Sequence, residues 1–85
     1  MRPTPLAEVA TYPVYDELVV YDSRQGQGFV LNATAARIWS LCDGSRTTEQ
    51  ITRAIATEYG LEYADALVDV CECLEHLQRA GLLAS

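Results

Sequence analysis

GQGFVLNATAARIWSLCDGSRT, residues Gly26–Thr47, changes its hydrophobic period halfway along. Gly28-Phe29-Val30-Leu31 is a short apolar strand, with Phe29 and Leu31 on one face and Val30 on the other. From Asn32 the period becomes helical: Ala35, Ile38, Trp39 and Cys42 recur at helical spacing, with Leu41 beside them. The Asn32 side chain can accept a backbone N–H from the first helical turn, which makes it the N-cap. Asp43-Gly44 ends the helix, because glycine enters the left-handed conformation without a steric penalty. A strand thus feeds into a helix with one capping residue between them.

Glu17–Asp22, ELVVYD, is a second strand rich in β-branched and aromatic residues. Ser23-Arg24-Gln25-Gly26-Gln27 suits the hairpin turn that joins it to residues 28–31. Glu8–Tyr12 reads as a shorter strand that stops before Pro13, and residues 1–7 as a flexible, proline-containing arm. Downstream, Thr47-Thr48-Glu49-Gln50 is a capping box with Thr47 as N-cap. It opens a helix with Ile51, Ala54, Ile55 and Tyr59 inward and a stop at Gly60. A third helix runs from Tyr63 to Ala80, with Gly81 as its stop and Leu82-Leu83 folding back. The predicted class is α+β: a three-stranded antiparallel sheet followed by three α-helices, in a winged helix-turn-helix arrangement, with residues 1–85 as a single domain.

An 85-residue chain with 49% apolar residues supports one modest core. Its net charge is −6 and all six bases are arginines, so a phosphate backbone is a poor partner and nucleic acid is not expected. No apolar run approaches the roughly 20 residues that a membrane span needs, and the N-terminus lacks the apolar core of an export signal. The expected location is cytoplasmic. The three cysteines, Cys42, Cys71 and Cys73, are an odd number. Residues two apart on a helix point about 200° away from each other, so Cys71 and Cys73 do not chelate one metal and read as small buried hydrophobes. No cofactor and no metal are expected.

On the third helix, Tyr63, Val70, Leu74 and Leu77 form the core stripe beside Leu67. One margin, about 40° to 100° from Leu67, carries Ala64, Val68, Cys71 and Glu75. Asp65, Asp69, Glu72 and His76 follow on the outer side. Five of the twelve acids fall between Glu62 and Glu75, more than the helix N-terminus explains, and a basic partner segment would meet them.

An unpaired strand edge is a hazard unless another chain is meant to complete it. If residues 28–31 form the edge, an extended peptide can add there through main-chain hydrogen bonds. The expected groove is lined by Gly28, Phe29, Val30 and Leu31, and across from them by Ala64, Leu67, Val68, Cys71, Glu72 and Glu75. Competing occupants are the chain's own N-terminal arm and a second copy of the chain, as a homodimer. The alternative function is a winged-helix DNA-binding or regulatory protein. The helix that would read DNA offers Thr48, Glu49, Thr52, Arg53 and Glu58, with one base among them. Catalysis has little support: His76 is the only histidine and no nucleophile accompanies it. Trp39 reads as a core anchor rather than a stacking platform.

Leu31-Asn32-x-Thr34-Ala35-Ala36-x-Ile38-Trp39, Cys42-Asp43-Gly44, Asp69-Val70 and Gly81-Leu82-Leu83, in that order and spacing, resemble the PqqD-like family of RiPP recognition elements. These small domains bind the leader segment of ribosomally made precursor peptides. The resemblance implies three strands and three helices, and a leader added as a strand beside the third strand and packed against the third helix. It also implies a non-catalytic chaperone role, presenting the leader to a modifying enzyme such as a radical S-adenosylmethionine enzyme, a protease or a cyclase. YDSRQGQGF is more similar to the broad family than to the branch devoted to pyrroloquinoline quinone.

Overall fold

In the computed structural model, which describes residues 2–6 and 8–84, the chain runs β1 (Val9–Val14), β2 (Glu17–Asp22), β3 (Gln27–Leu31), α1 (Ala33–Leu41), α2 (Thr48–Tyr59) and α3 (Tyr63–Arg79). The strands form one antiparallel sheet in the order β1-β2-β3, which leaves β3 at an edge. Val20 lies opposite Thr11 on one side and Phe29 on the other, so Val20, Phe29, Leu18 and Leu31 share the face turned to the helices. The opposite face carries Tyr12, Val14, Tyr21 and Val30, all exposed.

β1 is longer than expected. It continues through Pro13, which pairs with Leu18, to Val14. Proline lacks a donor for a ladder, but β1 is an edge strand with one paired side only, where that loss is tolerated. The β1–β2 connection is the two-residue turn Tyr15-Asp16, and Tyr15 takes φ 58° there.

The expected caps form. Asn32 Oδ1 accepts the Ala35 N–H at 2.9 Å, and the Thr47/Gln50 capping box closes in both directions. Gly60 is left-handed at the end of α2. The α3 terminus is a Schellman turn: Leu82 N–H donates to Leu77 C=O and Gly81 N–H to Gln78 C=O, both at 3.0 Å, around a left-handed Gly81.

The core gathers Val20, Ile38, Trp39, Leu41, Cys42, Ile51, Ile55, Ala66, Val70, Leu74, Leu77 and Leu82. Two tyrosines expected at core positions, Tyr59 and Tyr63, are exposed, while Ala66 and Thr52 are buried in full. α2 and α3 meet closely, and the small Ala66 and the self-satisfied Thr52, whose hydroxyl donates to Thr48 C=O at 2.8 Å, allow that approach.

The N-terminal arm is seated rather than loose. Pro3 is buried, Leu6 N–H donates to Leu82 C=O at 3.1 Å, and Ala84 N–H donates to Thr4 C=O at 2.7 Å. Gly44 N–H donates to Pro3 C=O at 3.0 Å. The arm therefore pairs with the C-terminal residues and not with β3. Met1 and Ala7, which the expectation of a flexible arm included, lie outside the described residues.

Candidate functional site

β3 is paired with β2 on one side only. In an antiparallel ladder, backbone groups alternate in direction, so every second residue of β3 turns its N–H and C=O away from β2. Beyond that edge lies α3, and no Cα of β3 comes within 8 Å of a Cα of α3. The two elements are walls with a gap between them.

Two compartments lie on this side of α3, one between it and β3 and one between it and the start of α1. The larger, about 430 Å³, is lined by Gly28–Leu31 from β3 and by His76, Leu77, Ala80 and Leu82 from the end of α3 and the residues after it. The smaller, about 240 Å³, is lined by Asn32, Thr34, Ala35 and Ile38 from the start of α1 and by Asp69, Glu72, Cys73 and His76. His76 borders both. The groove is therefore apolar at the C-terminal end of α3 and acidic toward its middle. Neither Asp69 nor Glu72 has an ion-pair or hydrogen-bond partner among the described residues. Five of the arginines are held elsewhere, by Asp22, Glu58, Asp43, Glu49 and Glu75.

The width of the gap is set by the β2–β3 turn. The Asp22 carboxylate is buried and accepts hydrogen bonds from Arg24 N–H at 2.9 Å, Arg24 Nε at 3.1 Å, Arg24 Nη2 at 2.9 Å and Gln25 Nε2 at 2.8 Å. The same two side chains reach across to α3: Arg24 Nη2 donates to Gly81 C=O at 2.9 Å and Gln25 Nε2 to Ala80 C=O at 3.3 Å. These are carbonyls that a helix end leaves without internal partners. The hydrogen bond from the Arg24 side chain, against the opposing cost of burial, holds the Asp22 carboxyl at about 2.

Of the ten residues expected to line the groove, Gly28, Phe29, Val30, Leu31 and Glu72 do so. The rest of the expected helix wall is corrected. Cys71 and Glu75 border a separate depression with Thr48, Leu74 and Gln78, on the α2 side. Ala64 and Val68 are exposed on that same flank, and Leu67 is half-buried between it and the core. A helix has two flanks beside its buried stripe, and periodicity does not say which one the strand will face. The missed residues of the helix wall are Asp69, Cys73, His76, Leu77 and Ala80, and Asn32, Thr34, Ala35, Ile38 and Leu82 complete the lining. Their signal was the approach of residues 23–25 to the helix end, which only the Asp22-x-Arg24-Gln25 pattern hints at.

The cysteines are separated by burial. Cys42 is buried, with its Sγ 3.2 Å from Ile38 O, and its thiol is pushed up to about 12, chiefly by burial. Burial pushes Cys73 up to about 11. Cys71 is exposed, against the expectation that it packs inside. Among the described residues, no three His, Cys, Asp or Glu side chains are placed to hold a metal. No helix there is long and apolar enough to cross a membrane.

The sequence profile of the family described as coenzyme PQQ synthesis protein D (PqqD) matches residues 17–83. The chain belongs to the PqqD family. Among solved structures, TbiB1 in complex with the TbiA(beta) leader peptide is similar at a TM-score of 0.87 and 29% identity, over 96% of this chain and 95% of that one. A lasso peptide synthetase B1 complexed with the leader peptide superposes at a TM-score of 0.88 and 22% identity, with 100% of both chains covered. No curated protein matches the chain significantly. The PqqD-family fold, three antiparallel strands followed by three helices, is thus common to all of these chains.

Proposed function

We propose that this PqqD-family domain binds the leader of a ribosomally synthesised precursor peptide as a fourth strand on β3 and presents it, without catalysing a reaction, to a separate modifying enzyme. The observation that carries this reading is the vacant β3 edge facing a partly apolar groove, with the N-terminal arm engaged at the C-terminal residues instead. Main-chain hydrogen bonds supply affinity in such a mode, and the groove selects alternate side chains of the added strand. The two similar structures are themselves complexes with leader peptides, which supports the assignment. The arrangement suits an extended chain rather than a small metabolite, because the unpaired β3 edge offers main-chain hydrogen-bonding groups along the compartment it borders.

The DNA-binding alternative loses its remaining support. Arg53 is paired with Glu49, Arg37 with Glu58, and Thr52 is buried.

The test is titration of the isotope-labelled domain with synthetic peptides covering the N-terminal halves of short reading frames that adjoin its gene. Micromolar binding is expected, about −8 kcal/mol for an interface of this size. Amide shifts should concentrate at 28–31 and 72–81. Absence of binding at several hundred micromolar, or shifts confined to the outer sheet face, would overturn the proposal.

A further inference from the structure

We infer that the strand accepted at β3 carries an apolar anchor and, four residues away on the same face, a lysine or arginine that meets Asp69 and Glu72. This specifies the occupant of the groove and rests on the strand-addition reading above.

The spacing follows from two periodicities. The apolar compartment takes Leu77 and Ala80 from α3, where an anchor would sit, and the acidic one takes Asp69 and Glu72. The midpoints of these two residue pairs are about eight helical residues apart, which is about 12 Å at 1.5 Å per residue. An extended strand covers that span in about four residues at 3.3 Å each. Four is even, so both side chains fall on the strand face that points into the groove. A spacing of three or five would turn one of them away.

The charge follows from what is unpaired. Asp69 and Glu72 border the groove, and five arginines are engaged with other acids. No lysine or arginine lines either compartment; His76, between them, is the one side chain there able to carry positive charge. The domain's net charge of −6 adds to the field that a basic segment meets on approach. A second copy fits poorly. Its own β3, Gln27–Leu31, holds no base, and its approach would set two acidic walls and two negative domains together.

The experiment is display selection of random 12-residue peptides against the full chain, followed by fluorescence-polarisation titration and amide-shift mapping of the enriched peptides. The expected enrichment is Leu, Ile, Val or an aromatic residue with Lys or Arg four positions away. The Asp69→Asn, Glu72→Gln double variant should weaken those peptides about three- to tenfold at low salt and much less at high salt. Glu72→Lys should transfer the preference to Glu at the same peptide position. Peptides that shift the Val30 amide but show no basic preference, or a base at another spacing, overturn the inference and leave strand addition standing. Peptides that map away from residues 28–31, failure to enrich any peptide, or concentration-dependent dimerisation that masks the β3 amides overturn both.

Discussion

Arg24 Nη2 donates to Gly81 C=O at 2.9 Å, which fastens the β2–β3 turn to the end of α3. The guanidinium is oriented for this by Asp22, whose buried carboxylate it also grips through Nε and Nη2. β3 is thereby held in register with the helix that forms the other wall of the groove. The geometry of the candidate site depends on a carboxylate that lines neither compartment.

That dependence has a pH signature. The Asp22 carboxyl is lowered from 3.8 to about 2 in the folded chain, primarily by the Arg24 hydrogen bonds. The unfolded chain binds the proton more readily, so the stabilisation is fully present above about pH 4 and is lost as pH falls through the folded value. Thermal melts of the wild type should therefore decline between about pH 4 and pH 2. Asp22→Asn should melt lower at neutral pH and show a shallower decline in that window. Parallel declines in both proteins would mean that other carboxylates control acid unfolding.

Tyr15 is fully exposed at the tip of the β1–β2 turn and occupies φ 58°. A left-handed backbone costs an L-residue about 1–2 kcal/mol, and no contact of the ring repays it. Tyr15→Gly should stabilise the domain by roughly 1 kcal/mol in urea titrations, part of the strain relief being offset by the greater freedom of glycine in the unfolded state. Peptide affinity should be unchanged. A destabilised Tyr15→Gly variant would show that the ring packs in solution.

Much of the architecture was legible because its signals are local. Asn32 reaches the Ala35 N–H and Thr47 pairs with Gln50 within one turn, while glycines at 60 and 81 mark the ends of α2 and α3. β2 matched its expected limits because alternation over ELVVYD is bounded by turn residues. The misread parts depend on distant partners. Pro13 looked like a strand end because its edge position was not visible from its neighbours. The arm looked loose because Leu82 and Ala84, which hold it, lie at the other end of the chain. The strand wall of the groove was legible because an unpaired third strand follows from element order. The expected helix wall lies on the flank that faces α2 instead, because which flank turns to β3 depends on how α3 crosses the sheet.

Gly44 tests whether the arm matters to stability. It has φ 84°, and a Cβ there would lie 2.9 Å from Thr4 Oγ1. Gly44→Ala should cost about 1–2 kcal/mol from backbone strain alone, and should also raise amide exchange at residues 4–6 and 82–84. Unchanged exchange at those positions would show that the arm can be displaced without consequence.

Burial grades the thiols: Cys71 is exposed, Cys73 is half-buried at the edge of the acidic compartment, and Cys42 is buried. With thiols at about 12 and 11, Cys42 and Cys73 hold only about one part in 10,000 and one part in 1,000 of thiolate at pH 8. A disulfide reagent added to the native domain at pH 8 should modify Cys71 first, Cys73 more slowly because little of it is thiolate, and Cys42 only on the timescale of opening. Three thiols should react promptly in denaturant. Rapid modification of all three without denaturant would contradict the packing around Cys42.

The choice of α3 flank can be settled by pairing substitutions on its two sides. Val68 is 55% exposed and lies on the flank shared with Cys71 and Glu75, away from β3. Val68→Glu should leave both fold and peptide affinity unchanged. Ala80 is half-buried in the apolar compartment beside Gly28–Leu31, so Ala80→Gln places a polar chain where the anchor would sit. It should weaken peptide binding at least tenfold while the melt stays near wild type. Trp39→Ala supplies the contrast, since Trp39 is 7% exposed in the core and its loss should cost about 3–5 kcal/mol. That is enough to unfold much of a domain this small, and binding would be lost with structure rather than separately from it. Circular dichroism of each variant alongside peptide titration distinguishes these cases. Affinity lost in Val68→Glu and kept in Ala80→Gln would move the peptide to the α2 side of the helix, where Cys71 and Glu75 already border a depression with Thr48 and Gln78.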